Sequence, residues 1–316
     1  MSALITALRE IAGADHVRED AALAPLTTFK VGGAADVLVE PSTSDEVVAV
    51  VKAAHAAGVP VTMLGGGSNV LVADRGVRGV VIRPRAGAVR PLGDTLVRAD
   101  AAVTINGLVR WTVGRGLAGL EAWAGTPGTV GGAIYGNAHW RQTNIGDLVE
   151  SVRLLRPDGT LLQVPGDRME FDYDHSRLQH TREIVLWAAF RVTPGGDPAL
   201  LRETARASLA FRKRTQPLAR PSAGCIFQNP DPARDRVPDG IPPSAGALID
   251  RAGLKGHRIG GAMVSEVHAN FIVNEGDATA ADVSALARLC RDTVRERFGV
   301  ALREEIVRLG EWEQQG

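Results

Sequence analysis

The chemistry-bearing residues of this chain are few and unevenly placed. Two cysteines occur in 316 residues. Cys225 sits in "PSAGCIFQNP" (221–230), between a loop-like segment and a short apolar step. Its type and position leave two readings open, a small core hydrophobe or a thiol placed to do chemistry. Cys290 recurs with Val283, Leu286 and Val294 at helical spacing, which predicts a core-facing residue. The pair gives neither a disulfide framework nor zinc-ligand spacing, so no metal site is expected. Glu304 and Glu305 are adjacent carboxylates, which strand alternation would put on opposite faces. A solvated charge pair is the competing reading.

Glycine is the other signal, 36 residues gathered in clusters rather than in a repeat. "GGGSN" (65–69) follows a predicted buried strand. Glycines there let backbone N–H groups approach an anion, with Ser68 and Asn69 as further donors; a tight turn between strands accounts for the same residues. No Gly-Lys-Ser/Thr follows, so this is not a nucleotide P-loop. The loop leads into "VLVA" rather than a helix, which excludes a Rossmann fingerprint. A second cluster, "GTPGTVGGA" (125–133) with "GNA" (136–138), adds another backbone-lined surface. Two such clusters suit a ligand with a pyrophosphate spine, and predict a dinucleotide cofactor.

The elements that must hold these residues follow from patterning. "AADVLVEP", "VPVTML", "VLVA" and "GVVIRP" read as strands, and "STSDEVVAVVKAAHAAG" as a helix capped by Ser44 and stopped at Gly58. "TINGLVRWTVGRGL" is a helix with Thr104 at its start. "VESVRLLRPDGTLLQV" is a hairpin about Asp158-Gly159, and "EIVLWAAFRV" a further strand. "TPGGDPA" reads as a linker, placing the domain boundary near 195: residues 22–194, then 195–316. A charged helix, "LLRETARASLAFRKRT", opens the second part. Its last helix has Thr279 and Asp282 at capping-box spacing and Gly299 at its end.

Composition bounds the rest. Lys+Arg and Asp+Glu are equal at 36 each, so no net field favours nucleic acid or an anionic membrane. Only Lys30, Lys52, Lys213 and Lys255 are lysines in this arginine-rich chain. Arg9, Glu10 and Asp15 interrupt the N-terminus too early for a signal peptide. No window reaches the ~18 apolar residues of a membrane span. A cytoplasmic protein with no membrane, nucleic-acid or obligate protein partner is expected.

"TTFKVGGAADVLVEP" (27–41), "LGGGSNVLVAD" (64–74), "GLEAWAGTPGTVGGAIYGNA" (119–138), "PSAGCIFQNP" (221–230), "AGLKG" (252–256), "HANFIVN" (268–274) and "GVALREEIVRLGE" (299–311) occur in this order. In these motifs the chain resembles the UDP-N-acetylenolpyruvoylglucosamine reductases, in the shorter form lacking a substrate-capping insertion. The resemblance spans roughly residues 22–311. It implies an α+β fold: a two-lobed FAD-binding unit of the vanillyl-alcohol-oxidase type, then a C-terminal α+β substrate domain. It implies NADPH-dependent, FAD-mediated reduction of an enolpyruvyl UDP-sugar in peptidoglycan precursor synthesis. It puts FAD on Gly65, Gly66, Gly67, Ser68, Asn69, Thr126, Pro127, Gly128, Gly132 and Asn137. It makes Cys225 the proton donor, at a position where most members carry serine, and Glu305 the acid that polarises the enolate. A free thiol, with a pKa of about 8.5, is a far better acid than a hydroxyl. Tyr173, Lys213, Arg214, Asn229 and Lys255 are implied in substrate binding; for Lys213 a solvated helix charge is the alternative, and for His268 a packed core residue.

Two stretches depart from the resemblance. The family usually reads Tyr-Arg-x-Ser where this chain has Tyr173-Asp174-His175-Ser176, so a carboxylate replaces a cation. Arg177 reaching the same place, an arginine from elsewhere, or a binding protein with weak or lost activity are the three explanations. "NAHWRQTN" (137–144) likewise replaces the usual small residues after "GNA". Another oxidoreductase of the same flavin superfamily is the remaining alternative.

Overall fold

The apolar runs expected to be strands form at Ala34–Val39, Val61–Met63, Val70–Val72 and Val77–Ile82. The helix after the first of them runs from Ser44 to Ala56, with Thr43 rather than Ser44 as its cap: the Thr43 hydroxyl accepts from Glu46 N–H. Thr43 has the extended backbone an N-cap requires, whereas Ser44 is already helical. Thr104 caps the helix Ile105–Val113 as expected. The computed structural model describes residues 1–140 and 143–312.

Contacts divide the chain into two units. The first comprises Met1–Ala21, Asp36–Gly66 and Gly79–Arg212, and the second Ala22–Ala35, Gly67–Arg78 and the chain from Lys213 on. The division thus differs from a boundary near 195. Helix Pro198–Thr215 belongs almost wholly to the first unit, because Leu201 joins its core and the Ser208 hydroxyl donates to Ala122 carbonyl at 2.6 Å. The N-terminal helix Ser2–Ala12 also packs there, through Leu4, Ile5 and Leu8.

The first unit has two cores, hence two lobes. One lies under a four-stranded sheet ordered Val17–Ala22, Ala34–Val39, Val77–Ile82, Val61–Met63, covered by helices Ser2–Ala12 and Ser44–Ala56. The other surrounds an antiparallel five-stranded sheet ordered Leu161–Pro165, Val149–Leu155, Ile184–Arg191, Leu96–Asp100, Val89–Pro91. Against it pack helices Ile105–Val113 and Val130–Tyr135.

The second unit is built on helix Ala280–Phe298, whose Val283, Leu286, Cys290 and Val294 face the core. Thr279 and Asp282 form the expected capping box and Gly299 closes the helix in left-handed geometry, φ 71°. A small sheet, Arg258–Ile259, Ala262–Val264 and Ile272–Asn274, packs on it. Strand Val307–Leu309 pairs in parallel with Val70–Val72, so the strand after "GGGSN" is held by the C-terminal part of the chain. No helix among the described residues is long and apolar enough to cross a membrane.

Candidate active site

The first glycine cluster is a loop with unused donors. Among the described residues, the N–H groups from Gly65 through Asn69 make no hydrogen bond. Consecutive backbone donors of this kind form an anion nest, since each needs a partner that the protein itself does not supply. Within the first unit the loop meets the second cluster directly. A Cβ on Gly66 would stand 2.7 Å from the Cα of Gly128, and one on Gly65 would stand 2.7 Å from the Thr129 hydroxyl. Only glycine permits this approach of one lobe's loop to the other's. A diphosphate-bearing cofactor such as FAD fits these residues. The unpaired amides of the first cluster suit a pyrophosphate, and glycines at 66 and 128 keep side chains out of the approach.

The rest of the second cluster is held by the chain around it. The Thr126 hydroxyl accepts from Arg212 Nη2 at 2.8 Å, and Arg212 lies over the Trp140 ring at 3.7 Å from its centroid. Arg212 is buried and was not singled out from sequence, where it reads as one charge in "FRKRTQP". Gly132 N–H donates to Thr129 Oγ1, a helix cap, so that amide is already used. Pro127 and Gly132 are exposed. Asn137 is 1% exposed; its Nδ2 donates to Asp172 carbonyl and its Oδ1 accepts from Gly146 N–H. Its side chain therefore clamps two loops together, and its backbone N–H donates to Ile134 carbonyl at 3.4 Å.

Cys225 sits within a narrow framework in the second unit. Ile226 N–H donates to Asn270 carbonyl at 2.8 Å on one side, and Glu305 N–H donates to Ile226 carbonyl at 2.8 Å on the other. Cys225 bridges to Phe271, and Phe227 to Glu304, in antiparallel fashion. The cysteine and the acid named from sequence thus come from neighbouring backbone segments. Asn69 joins them: its Nδ2 donates to Glu305 carbonyl and its own carbonyl accepts from Val307 N–H. Glu305 lies just ahead of the short strand Val307–Leu309 rather than inside a longer closing strand.

The two carboxylates separate by partner. Glu304 holds Arg308 in a fork, at 2.7 and 2.8 Å, and lines a cavity with Ser284, Arg288, Arg291 and Trp312. Its charge is committed to that pair; Glu305, the acid the resemblance names, lies beside the Cys225 segment through its backbone N–H.

Asn270, in "HANFIVN", has a role that no local pattern announces. It is 3% exposed, and its side chain makes both hydrogen bonds of a backbone clamp, Phe227 N–H to Oδ1 at 3.0 Å and Nδ2 to Phe227 carbonyl at 2.7 Å. Asn270→Ala would leave two buried backbone groups unpaired at about 1–3 kcal/mol each. We expect a loss of that order in urea denaturation; a variant as stable as the parent would show that water or a shift of the loop replaces the clamp.

His268 is half-buried, with Nδ1 accepting from Asn270 N–H, and its pKa is lowered by burial and then by the Lys255 charge. The folded state therefore holds the neutral ring. Its contribution is present above histidine's ordinary value of about 6.5. It is lost as pH falls from there through the lower folded value. Melts at pH 7.5 and 5.5 are expected to show a smaller acid loss in His268→Gln; equal losses would contradict this. The packed-residue alternative for His268 fits this burial.

Cys290 is 1% exposed and burial pushes its thiol up to about 12. Cys225 is partly exposed. Native protein is expected to react with a thiol reagent at Cys225 alone, Cys290 reacting only on unfolding. Mass mapping of the label checks this, and labelling of Cys290 in the native state would contradict it.

The remaining positions divide between the units. Lys213 and Arg214 are exposed at the end of helix Pro198–Thr215. Asn229 Oδ1 accepts from Ala245 N–H, the first residue of helix Ala245–Arg251, and Lys255 pairs with Asp250 at 2.9 Å. In the first unit, Tyr173 is 39% exposed and Ser176 is buried, donating to Tyr135 carbonyl. Arg177 does not stand in for the missing arginine: its Nε and Nη2 bind the buried carboxylate of Glu183 at 3.0 and 3.3 Å. Asp174 instead pairs with His139, Oδ1 to Nδ1 at 2.9 Å.

Comparison with known proteins joins these parts. Residues 216–309 match the family model for the UDP-N-acetylenolpyruvoylglucosamine reductase C-terminal domain, and residues 35–165 an FAD binding domain. A reductase of that name from Synechococcus sp. (strain RCC307) is 40% identical over 298 residues, covering 93% of this chain and 94% of the relative. The chain belongs to the UDP-N-acetylenolpyruvoylglucosamine reductase family. The reductase from Anaeromyxobacter dehalogenans is 43% identical over 300 residues, 94% of this chain and 87% of that one. The crystal structure of the Thermus caldophilus reductase superposes with a TM-score of 0.74 at 33% identity, covering 93% of this chain and 98% of that one. The two lobes of the first unit are accordingly the FAD-binding part, and the chain is an FAD-dependent oxidoreductase of this family.

Proposed function

We propose that this reductase converts UDP-N-acetylglucosamine enolpyruvate to UDP-N-acetylmuramate, with NADPH as the reductant, in the cytoplasmic synthesis of peptidoglycan precursors. The observation that carries the reading is the unpaired amide run Gly65–Asn69 followed by the Asn69–Glu305–Ile226 hydrogen bonds, which tie a cofactor loop to the Cys225 segment. Bound FAD supplies hydride transfer from NADPH to the terminal enolpyruvyl carbon.

What the chain must add is charge stabilisation and a proton. Negative charge develops on the substrate's carboxylate and adjacent carbon, and Glu305 meets it as an acid. Cys225 gives its proton to that carbon, and the resulting thiolate is reprotonated from solvent before the next turnover. Asn270 keeps the Cys225 segment fixed while this happens. Lys213, Arg214 and Lys255 offer cations for the diphosphate, Asn229 a polar contact and Tyr173 a hydroxyl. Purified protein is expected to show flavin absorbance and, without oxygen, to oxidise NADPH beyond one equivalent per flavin only when the enolpyruvyl sugar is present. The product should be heavier by two hydrogens. NADPH oxidation that ignores the sugar and consumes oxygen instead would overturn the proposal.

A further inference from the structure

Four arginines line one cavity within the second unit. The cavity has a volume of about 560 Å³ and is walled by helix Ala280–Phe298 and by the chain from Leu302 to Trp312. Arg288 and Arg291 come from the helix, three residues apart and so on one face. Arg303 and Arg308 come from the segment that follows it. None of the residues assigned above to FAD or to the substrate is in this wall.

The wall is rich in donors. Glu304 is the one carboxylate among the lining residues, and Arg308 forks it while also donating to Ser284 Oγ at 2.8 Å. Arg303 Nη2 donates to Asp235 at 3.3 Å, but Arg303 Nε is buried and has no acceptor among the described residues. Trp312 Nε1 is buried and unpaired in the same sense. Arg291 makes no hydrogen bond among the described residues, and its one ion pair is with its exposed neighbour Asp292 at 3.6 Å. Buried donors in folded proteins normally find acceptors, and cations gathered in one wall repel one another until an anion joins them. An anionic ligand supplies both needs.

Size and lining narrow its class. Leu302, 5% exposed, and the Trp312 ring add apolar surface beside the guanidiniums. The volume falls in the range of small-molecule sites, roughly 300–1,000 Å³, and is larger than an inorganic anion needs. Arginine forks match phosphate oxygens, while an aromatic ring offers a face to a base. We infer that this cavity is a further ligand site that binds a nucleoside diphosphate. The inference does not rest on the function proposed above.

The test is calorimetry on the FAD-loaded protein, titrated at fixed ionic strength with ADP, with inorganic pyrophosphate and with sulfate. ADP is expected to bind at one site per chain, more tightly than pyrophosphate. Arg288→Ala and Arg291→Ala should each weaken ADP binding about tenfold, the scale of one charged hydrogen bond. Arg297→Ala, exposed on the same helix and outside the cavity wall, should leave it unchanged. KM for NADPH and for the enolpyruvyl sugar should stay at the parent values in the Arg288 and Arg291 variants. Absence of ADP binding, or binding that both substitutions leave intact, overturns the proposal. So does equal affinity for ADP and pyrophosphate, or displacement of ADP by sulfate, which would show an adventitious ion only. A KM that rises as ADP affinity falls would make the cavity part of the catalytic site and overturn it equally.

Discussion

Cys225→Ala is expected to slow reduction of the enolpyruvyl sugar by about 10²–10⁴-fold, the range general-acid catalysis supplies. NADPH reduction of the flavin should stay near the parent rate. The split follows from role: Cys225 is proposed as a donor to the substrate, on a segment held by the Asn270 side chain and the Glu305 backbone, and it is not one of the residues expected to hold FAD. Cys225→Ser should restore part of the activity, because a hydroxyl is a weaker acid in the same place. Stopped-flow measurement of each half-reaction separates these cases. Equal loss of both would make Cys225 structural, and a folded but inactive serine variant would contradict its role as donor.

Glu305→Gln is expected to lower the same step by about 10²–10³-fold, as removal of one charge-stabilising group does in other enzymes. Glu304→Gln should behave differently. Its carboxylate forks onto Arg308, which also donates to Ser284 and lies over Trp312. Breaking that pair costs stability, visible in denaturation, and leaves substrate reduction largely intact. Rates and melts on both variants distinguish the two acids. A reversal, with Glu304→Gln inactive and Glu305→Gln active, would exchange their roles.

The candidate site residues could be named from sequence because they sit in local motifs. "GGGSN" could be read as an anion loop from composition and from the strand that follows it, and its amides have no hydrogen-bond partner among the described residues. Cys290 was placed in the core by helical spacing alone. What sequence could not show was partnership over long separations. Asn270 and Phe227 are 43 residues apart, and Arg212 and Thr126 are 86 apart, so no local pattern announces either bond. "TPGGDPA" has linker composition, while the helix that follows it buries Leu201 against the first unit, a contact no local pattern announces. Asp174 and His139, 35 residues apart, pair without any local signal either.

The most direct test of the central claim is a single turnover without oxygen. FAD-loaded protein is reduced with one equivalent of NADPH, mixed with UDP-N-acetylglucosamine enolpyruvate, and followed by flavin absorbance, with the product identified by mass. Rapid reoxidation yielding UDP-N-acetylmuramate in the wild type, and reoxidation slowed about a hundredfold or more in Cys225→Ala, is the predicted result. A flavin that stays reduced after the sugar binds would contradict the account.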